Sequence, residues 1–262
     1  MRTHDDSGNL VLLKRNDQVL LLTLNRPEKL NALSKELLKQ LAGCFLDAER
    51  DPNVSCVVLT GSGRAFSAGA DISDMLARRV ASYTDPERLE SWHSIEEFSK
   101  PIIAAVNGFA IGGGLELALL CDIILAAQSA KFSCPEIKIG SFPGDGGTQR
   151  LPRLVGRLFA MQMILTGMMV DAKLAETKGL VNEIVSDNHL IDRATEIAVE
   201  IAQMSIAITP FAKRAVRSAD LLGLKEGLKL EHCLTVDAFD TLDRVEGLRS
   251  FVEKRPPKFE GR

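Results

Sequence analysis

The stretch that most restricts the fold is KPIIAAVNGFAIGGGLELALLCD, residues 100–122. IIAAV is a continuous apolar run of the kind that fills a strand buried on both faces, and it closes at Asn107-Gly108. Gly112, Gly113 and Gly114 then bring bare backbone to the start of an apolar helix, whose first N–H groups have no partner inside the helix. Such a terminus suits developing negative charge. Glu116 follows two residues after the last glycine, among Leu115, Leu117, Ala118 and Leu119, so its carboxylate starts from an apolar neighbourhood. On these residues alone two accounts stand. The stretch is either an oxyanion site with an acid beside it, or a set of glycines that permit close helix packing while Glu116 caps the helix.

The same alternation runs through the first half of the chain. VLLKR and QVLLLTLN read as a hairpin across Asn16-Asp17. Ser34 then caps a helix with Leu37, Leu38, Leu41 and Phe45 on one face, ended by Asp51-Pro52. VSCVVLT (54–60), closed by Gly61-Ser62-Gly63, and IILAA (123–127) read as further buried strands. From about Leu151 onward the periodicity is almost wholly helical. The expectation is an α/β core followed by a helical extension that packs on the core or on a neighbouring subunit.

Composition removes several function classes. A chain of 262 residues with 45% hydrophobic content has enough apolar mass for a large core. Net charge is −3, with Lys and Arg spread along the chain, which is not the footprint of a nucleic-acid binder. The start, MRTHDDSGNL, carries Asp5 and Asp6 and no apolar or Arg-rich leader, and no apolar run reaches the length of a membrane span. A cytoplasmic location without membrane contact is expected. Cys44, Cys56, Cys121, Cys134 and Cys233 are odd in number, lack a CxxC pair and read as small core residues. His4, His93, His189 and His232 lack metal-ligand spacing, so no metal site is expected. Gly61-Ser62-Gly63 begins like a dinucleotide fingerprint, but Phe66 stands at the third glycine position. AFSAG approaches a nucleophile elbow, yet Ala65 replaces its first glycine and no histidine pairs with Ser67.

Taken in order, AFSAGADI (65–72), NGFAIGGGLELALLCDI (107–123) and FSCPEIKIGSFPGDGGTQRLPRLVG (132–156) resemble the crotonase superfamily, most closely its enoyl-CoA hydratases. The likeness extends from RPEKLNAL (26–33) to SFVEKR (250–255). It implies an α/β fold, the crotonase-type spiral of ββα units with a C-terminal helical region, assembled as homotrimers or as hexamers of paired trimers. Residues 1–200 would form the spiral core with the acyl-CoA site, and 201–262 a helical region for oligomerisation and closure over CoA.

The resemblance also implies roles. The N–H groups of Ala70 and Gly113 would hold the thioester oxygen as it gains enolate charge, and the small side chains of AGA would let the thioester reach the main chain. Glu116 and Glu136 match the two hydratase acids, Glu116 activating water and Glu136 protonating Cα. Without the resemblance, Glu136 would read as one end of a surface salt bridge. Lys29, Leu30, Ala68, Asp71 and Ile72 match positions along the CoA path, and Phe251 and Lys254 match a helix that closes over the nucleotide. Lys254 alone would read as part of a solvated tail. No separate cofactor is implied, since coenzyme A is part of the substrate. Asp145 departs from the commoner PGAGG pattern. It either caps the following helix or, as a third acid, alters which acyl group or reaction is accepted. Retention of both glutamates favours hydration. The alternatives are double-bond isomerisation, hydration of a branched or aromatic acyl group, or a CoA-binding subunit without turnover.

Overall fold

The computed structural model describes residues 8–262, so the N-terminal stretch with His4, Asp5 and Asp6 lies outside the described residues. The chain opens with β1 (Val11–Asn16) and β2 (Val19–Leu24), antiparallel across Asn16-Asp17 as their alternation predicts. Asp17 takes φ +49, the left-handed conformation that so tight a turn requires. The Ser34 hydroxyl accepts from Leu37 N at 3.3 Å and starts α1 (Lys35–Arg50). Leu37, Leu38, Leu41 and Phe45 lie on one helical face, and all four are buried in the core.

Three windings follow, each with two strands and then helix. The first contains β3 (Cys56–Gly61), β4 (Ala65–Ser67), α2 (Ile72–Arg78), α3 (Ala81–Thr84) and α4 (Pro86–Glu96). The second contains β5 (Ile102–Val106), β6 (Phe109–Ile111) and α5 (Gly113–Ala118). The third contains β7 (Ile123–Ala127), β8 (Lys131–Ser133), α6 (Gly147–Val155) and α7 (Arg157–Thr166). The chain then continues through β9 (Val170–Asp171), α8 (Ala172–Thr177), β10 (Glu183–Val185) and α9 (Leu190–Ala202), and ends in α10 (Thr209–Ser218), α11 (Leu224–Phe239) and α12 (Leu242–Glu253).

The first strand of each winding joins one sheet and the second strand joins another. The six-stranded sheet runs β1-β2-β3-β5-β7-β10, parallel from β2 onward, and the four-stranded sheet runs β4-β6-β8-β9. This is the crotonase-type spiral with a C-terminal helical region. Stacking has one consequence that decides function. β4, β6 and β8 are parallel neighbours, so the segments leaving their C-terminal ends are brought side by side from positions far apart in sequence.

The reading of the region after Leu151 as almost wholly helical needs correction. β10 pairs with β7 from Glu183↔Leu125 to Val185↔Ala127 and extends the main sheet, and β9 pairs with β8. Strands of two or three residues are too short to show a period of two.

Candidate active site

The segment leaving β4 is fixed by a buried asparagine. Asn31 donates from Nδ2 to Ser62 O at 3.0 Å and Ala65 O at 2.7 Å, and its Oδ1 accepts from Arg26 N at 2.8 Å. Ser67 donates its hydroxyl to Asn31 O at 2.8 Å and accepts from Gly69 N at 3.2 Å, so it braces the loop. Ala68 N donates to Leu30 O and Leu33 N to Gly69 O. RPEKLNAL thus forms a rail along which AFSAGAD is laid. The bond to Gly69 O leaves the Ala70 N–H facing the other side of the extended segment.

Two glycines allow this segment to meet the start of α5. Gly69 takes φ +89, and a Cβ built there would lie 2.6 Å from Ile111 O and 3.1 Å from Gly113 N. Gly112 takes φ +53 at the helix cap, with the Glu136 Oε1 atom 2.8 Å from where its Cβ would be. Gly114 meets Ser67 O closely enough to exclude any side chain. The AGA and GGG segments are therefore interlocked backbone to backbone. Gly113 is the first residue of α5, so its N–H lacks an intrahelical acceptor. A Cβ built on Gly113 would lie 3.6 Å from Ala70 N, which places the two expected amide donors side by side.

Both glutamates reach this helix start. Glu116 lies in the first turn of α5 and is 2% exposed. Its Oε1 accepts from Gly147 N at 2.7 Å and from Asp145 N at 2.8 Å. Burial pushes its carboxyl up to about 7, against the lowering effect of the Gly147 N–H, while the Asp145 and Glu136 carboxylates push in the same direction as burial. Glu136 opens the short 3-10 turn after β8 and lies against Gly112. Its carboxyl is also raised, by burial first, and its Oε2 is buried without a hydrogen-bond partner among the described residues. The Glu136 carboxyl thus belongs to the helix start and does not form the surface salt bridge that its sequence context allows.

A small cavity of about 20 Å³, room for about one water, opens beside the amides and is lined in part by Leu33, Ala70, Met75 and Gly113. Tyr83, Arg88, Trp92 and Asp145 line the same cavity. Asp145 does not cap α6. The residue at the cap is Gly146, in a left-handed turn with φ +108, and no side chain caps that helix. The Asp145 carboxylate instead accepts from Arg88 Nη2 at 2.5 Å, in a pair whose side chains are each 10% exposed. Arg88 also lies over the Tyr83 ring, 4.8 Å from its centroid. Trp92 falls in the 75–98 segment that the sequence points to for acyl chain length, whereas Arg88 was not singled out, although a signal was present. Arg88, Trp92 and Ile95 recur at i, i+4 and i+7, which puts a cation on the buried face of a helix.

A family model described as enoyl-CoA hydratase/isomerase matches residues 14–262. The chain belongs to the enoyl-CoA hydratase/isomerase family. It is 45% identical over 245 residues to the mitochondrial enoyl-CoA hydratase of Pongo abelii, across 94% of this chain and 84% of that one. It is 41% identical over 252 residues to the 2,3-dehydroadipyl-CoA hydratase of Escherichia coli K12, across 96% of this chain and 99% of that one. Among solved structures, the enoyl-CoA hydratase from Bacillus anthracis is similar at a TM-score of 0.92 and 35% identity, over 97% of this chain and 100% of that one.

Within this member of the enoyl-CoA hydratase/isomerase family, five of the expected CoA contacts flank the amides. Lys29 is exposed at the end of a 3-10 turn, Leu30 follows with φ +51, and Ala68 is hydrogen-bonded to Leu30. Asp71 caps α2 through Ser73 N and Asp74 N and is paired with Arg26 at 3.2 Å, so its carboxylate is engaged within the chain. Ile72 beside it is exposed. Phe251 and Lys254 are on a separate element. α12 packs on α11, Phe251 is 83% exposed, and Lys254 ends the helix in a left-handed conformation. His93, His189 and His232 are all exposed.

Proposed function

We propose that the protein is an enoyl-CoA hydratase, adding water across the 2,3 double bond of a trans-2-enoyl-CoA to give a 3-hydroxyacyl-CoA. The observation that supports this reading is the meeting of two adjacent backbone amides with the buried Glu116 carboxyl and the partly buried Glu136 carboxyl at the ends of β4, β6 and β8. The thioester oxygen accepts from Ala70 N and Gly113 N. Attack at Cβ drives negative charge onto that oxygen, where each fixed donor contributes about 3 kcal/mol to the transition state. Because the donors are main-chain atoms, no side chain has to reorganise as charge develops.

Glu116, with Oε1 held by two N–H groups, takes a proton from water through its other oxygen while the water oxygen bonds to Cβ. Its pKa of about 7 leaves it partly ionised at neutral pH and basic enough to take that proton. Glu136 supplies a proton to Cα. The buried, unpartnered Oε2 favours its neutral form, which is the form an acid needs. The π bond becomes one C–O and one C–H bond, and the proton accepted by Glu116 balances the one given by Glu136. Two acids favour hydration over isomerisation, which needs one group to carry a proton between carbons. Coenzyme A enters as part of the substrate, with no separate cofactor, along Lys29, Leu30, Ala68, Asp71 and Ile72.

Of residues 1–200, the described ones form the core that carries the site. Residues 201–262 serve assembly into trimers or paired trimers in the cytoplasm and bring Phe251 and Lys254 over the nucleotide. The test is conversion of crotonyl-CoA, followed as loss of enoyl absorbance and as product mass. Gain of one water is the expected result. An unchanged mass with a moved double bond would replace hydration by isomerisation, and no reaction with any enoyl-CoA would leave a binding subunit.

A further inference from the structure

Glu116 is held by a stretch of chain that carries one side chain. The donors to its Oε1 are Asp145 N at 2.8 Å and Gly147 N at 2.7 Å, and Asp145 stands among Gly144, Gly146 and Gly147. Backbone so rich in glycine is costly to order, and no side-chain cap at the start of α6 helps to fix it. The Asp145 side chain ties this stretch to α4. Its carboxylate accepts from Arg88 Nη2 at 2.5 Å, and the guanidinium lies over the Tyr83 and Trp92 rings, 4.8 and 5.9 Å from their centroids. Arg150 Nη1 adds a bond to Asp145 O at 3.1 Å.

We infer that Arg88 and Asp145 form a positioning pair for Glu116. The guanidinium fixes the stretch whose N–H groups clamp Glu116 Oε1, and it balances a third acid that would otherwise oppose ionisation of the base. This rests on the hydratase reading and adds two residues to it. Burial is the main cause that raises Glu116, and the Asp145 charge adds to it ahead of that of Glu136. The other charged groups around the cavity are paired elsewhere: Lys35 with Asp85 and Glu87, Asp71 with Arg26, and Asp74 with Arg78. Arg150 is paired with Glu96. Burial keeps the nearby Tyr83 and Cys134 in their neutral forms. Arg88 is therefore the cation that answers Asp145, in a pair whose side chains are each 10% exposed, where solvent screens little.

The test is the pH dependence of kcat/KM for crotonyl-CoA hydration, which reports ionisations of the free enzyme. Its limbs belong to the two glutamates as a pair, and Asp145 bears on both in the same direction. R88M leaves Asp145 without its cation and is expected to move the acid limb, where the base ionises, up by about one pH unit. D145N keeps the N–H to Glu116 and removes the charge, so its acid limb is expected to move down. R88K keeps a cation and should bring the limb back toward wild type. The double variant, R88M with D145N, should also return the limb while kcat stays at least about tenfold low, because the anchor is gone. A purely structural pair would lower activity without moving the limb. An acid limb that stays in place in both R88M and D145N, or moves the same way in both, overturns this inference alone. If R88M does not fold, D145N decides, and a limb that does not move down overturns the inference. Absence of hydration in the wild type overturns the hydratase reading and this inference with it.

Discussion

Gly69 is the residue where shape and chemistry are least separable. Its φ of +89 is one that side chains rarely adopt, and the space a Cβ would need is occupied by Ile111 O at 2.6 Å. G69A is expected to destabilise the fold by about 2 kcal/mol, read from urea unfolding. It should also lower kcat by at least about tenfold, because relieving the clash moves the Ala70 N–H. Glu116 gives a second prediction through its raised pKa. Between about 4.5 and about 7 the unfolded chain ionises this carboxyl while the folded chain keeps it protonated, so the unfolded state holds fewer protons and stability falls as pH rises through that window. The whole effect is on the order of 3 kcal/mol. E116Q is expected to flatten the slope of unfolding free energy against pH, and an unchanged slope would show that this carboxyl is not perturbed.

At the scale of elements, legibility followed length. α1 could be read from Ser34 and its apolar face, and IILAA became β7 over the same residues. The three-residue β4, β6 and β8 could not be read, because a period of two needs more repeats. They are nevertheless the strands that gather the site. The glycines and glutamates were visible as motifs, and their convergence depends on which strands pair, which no local pattern contains. Of the two accounts open for Asp145, the helix cap fails for a related reason. An Asp before a helix looks like a cap, but a left-handed Gly146 stands between it and α6, and the buried Arg88 comes from a helix 57 positions earlier in sequence. A modest test belongs at this scale. S34A is expected to cost about 1 kcal/mol in unfolding free energy by freeing the Leu37 N–H, with little change in activity.

At the scale of the whole molecule, apolar side chains remain on the outer helices. Leu158 and Leu165 on α7, Leu224 on α11, and Phe251 and Val252 on α12 are all exposed in the single chain. Surfaces of this kind mark contacts between copies. Light scattering is expected to give the mass of a trimer or hexamer, and a mass of 28.6 kDa at micromolar protein would remove the role given to residues 201–262. The central claim is that three turns of one spiral make one reaction site, with Glu116 and Glu136 acting on the same water and enoyl group. Its most direct test is the hydration rate of crotonyl-CoA for wild type, E116Q, E136Q and the double variant. Each single substitution should cost at least about a hundredfold in kcat, and the double should lose far less than the product of the two. Either single variant within tenfold of wild type, or losses that multiply, would contradict it.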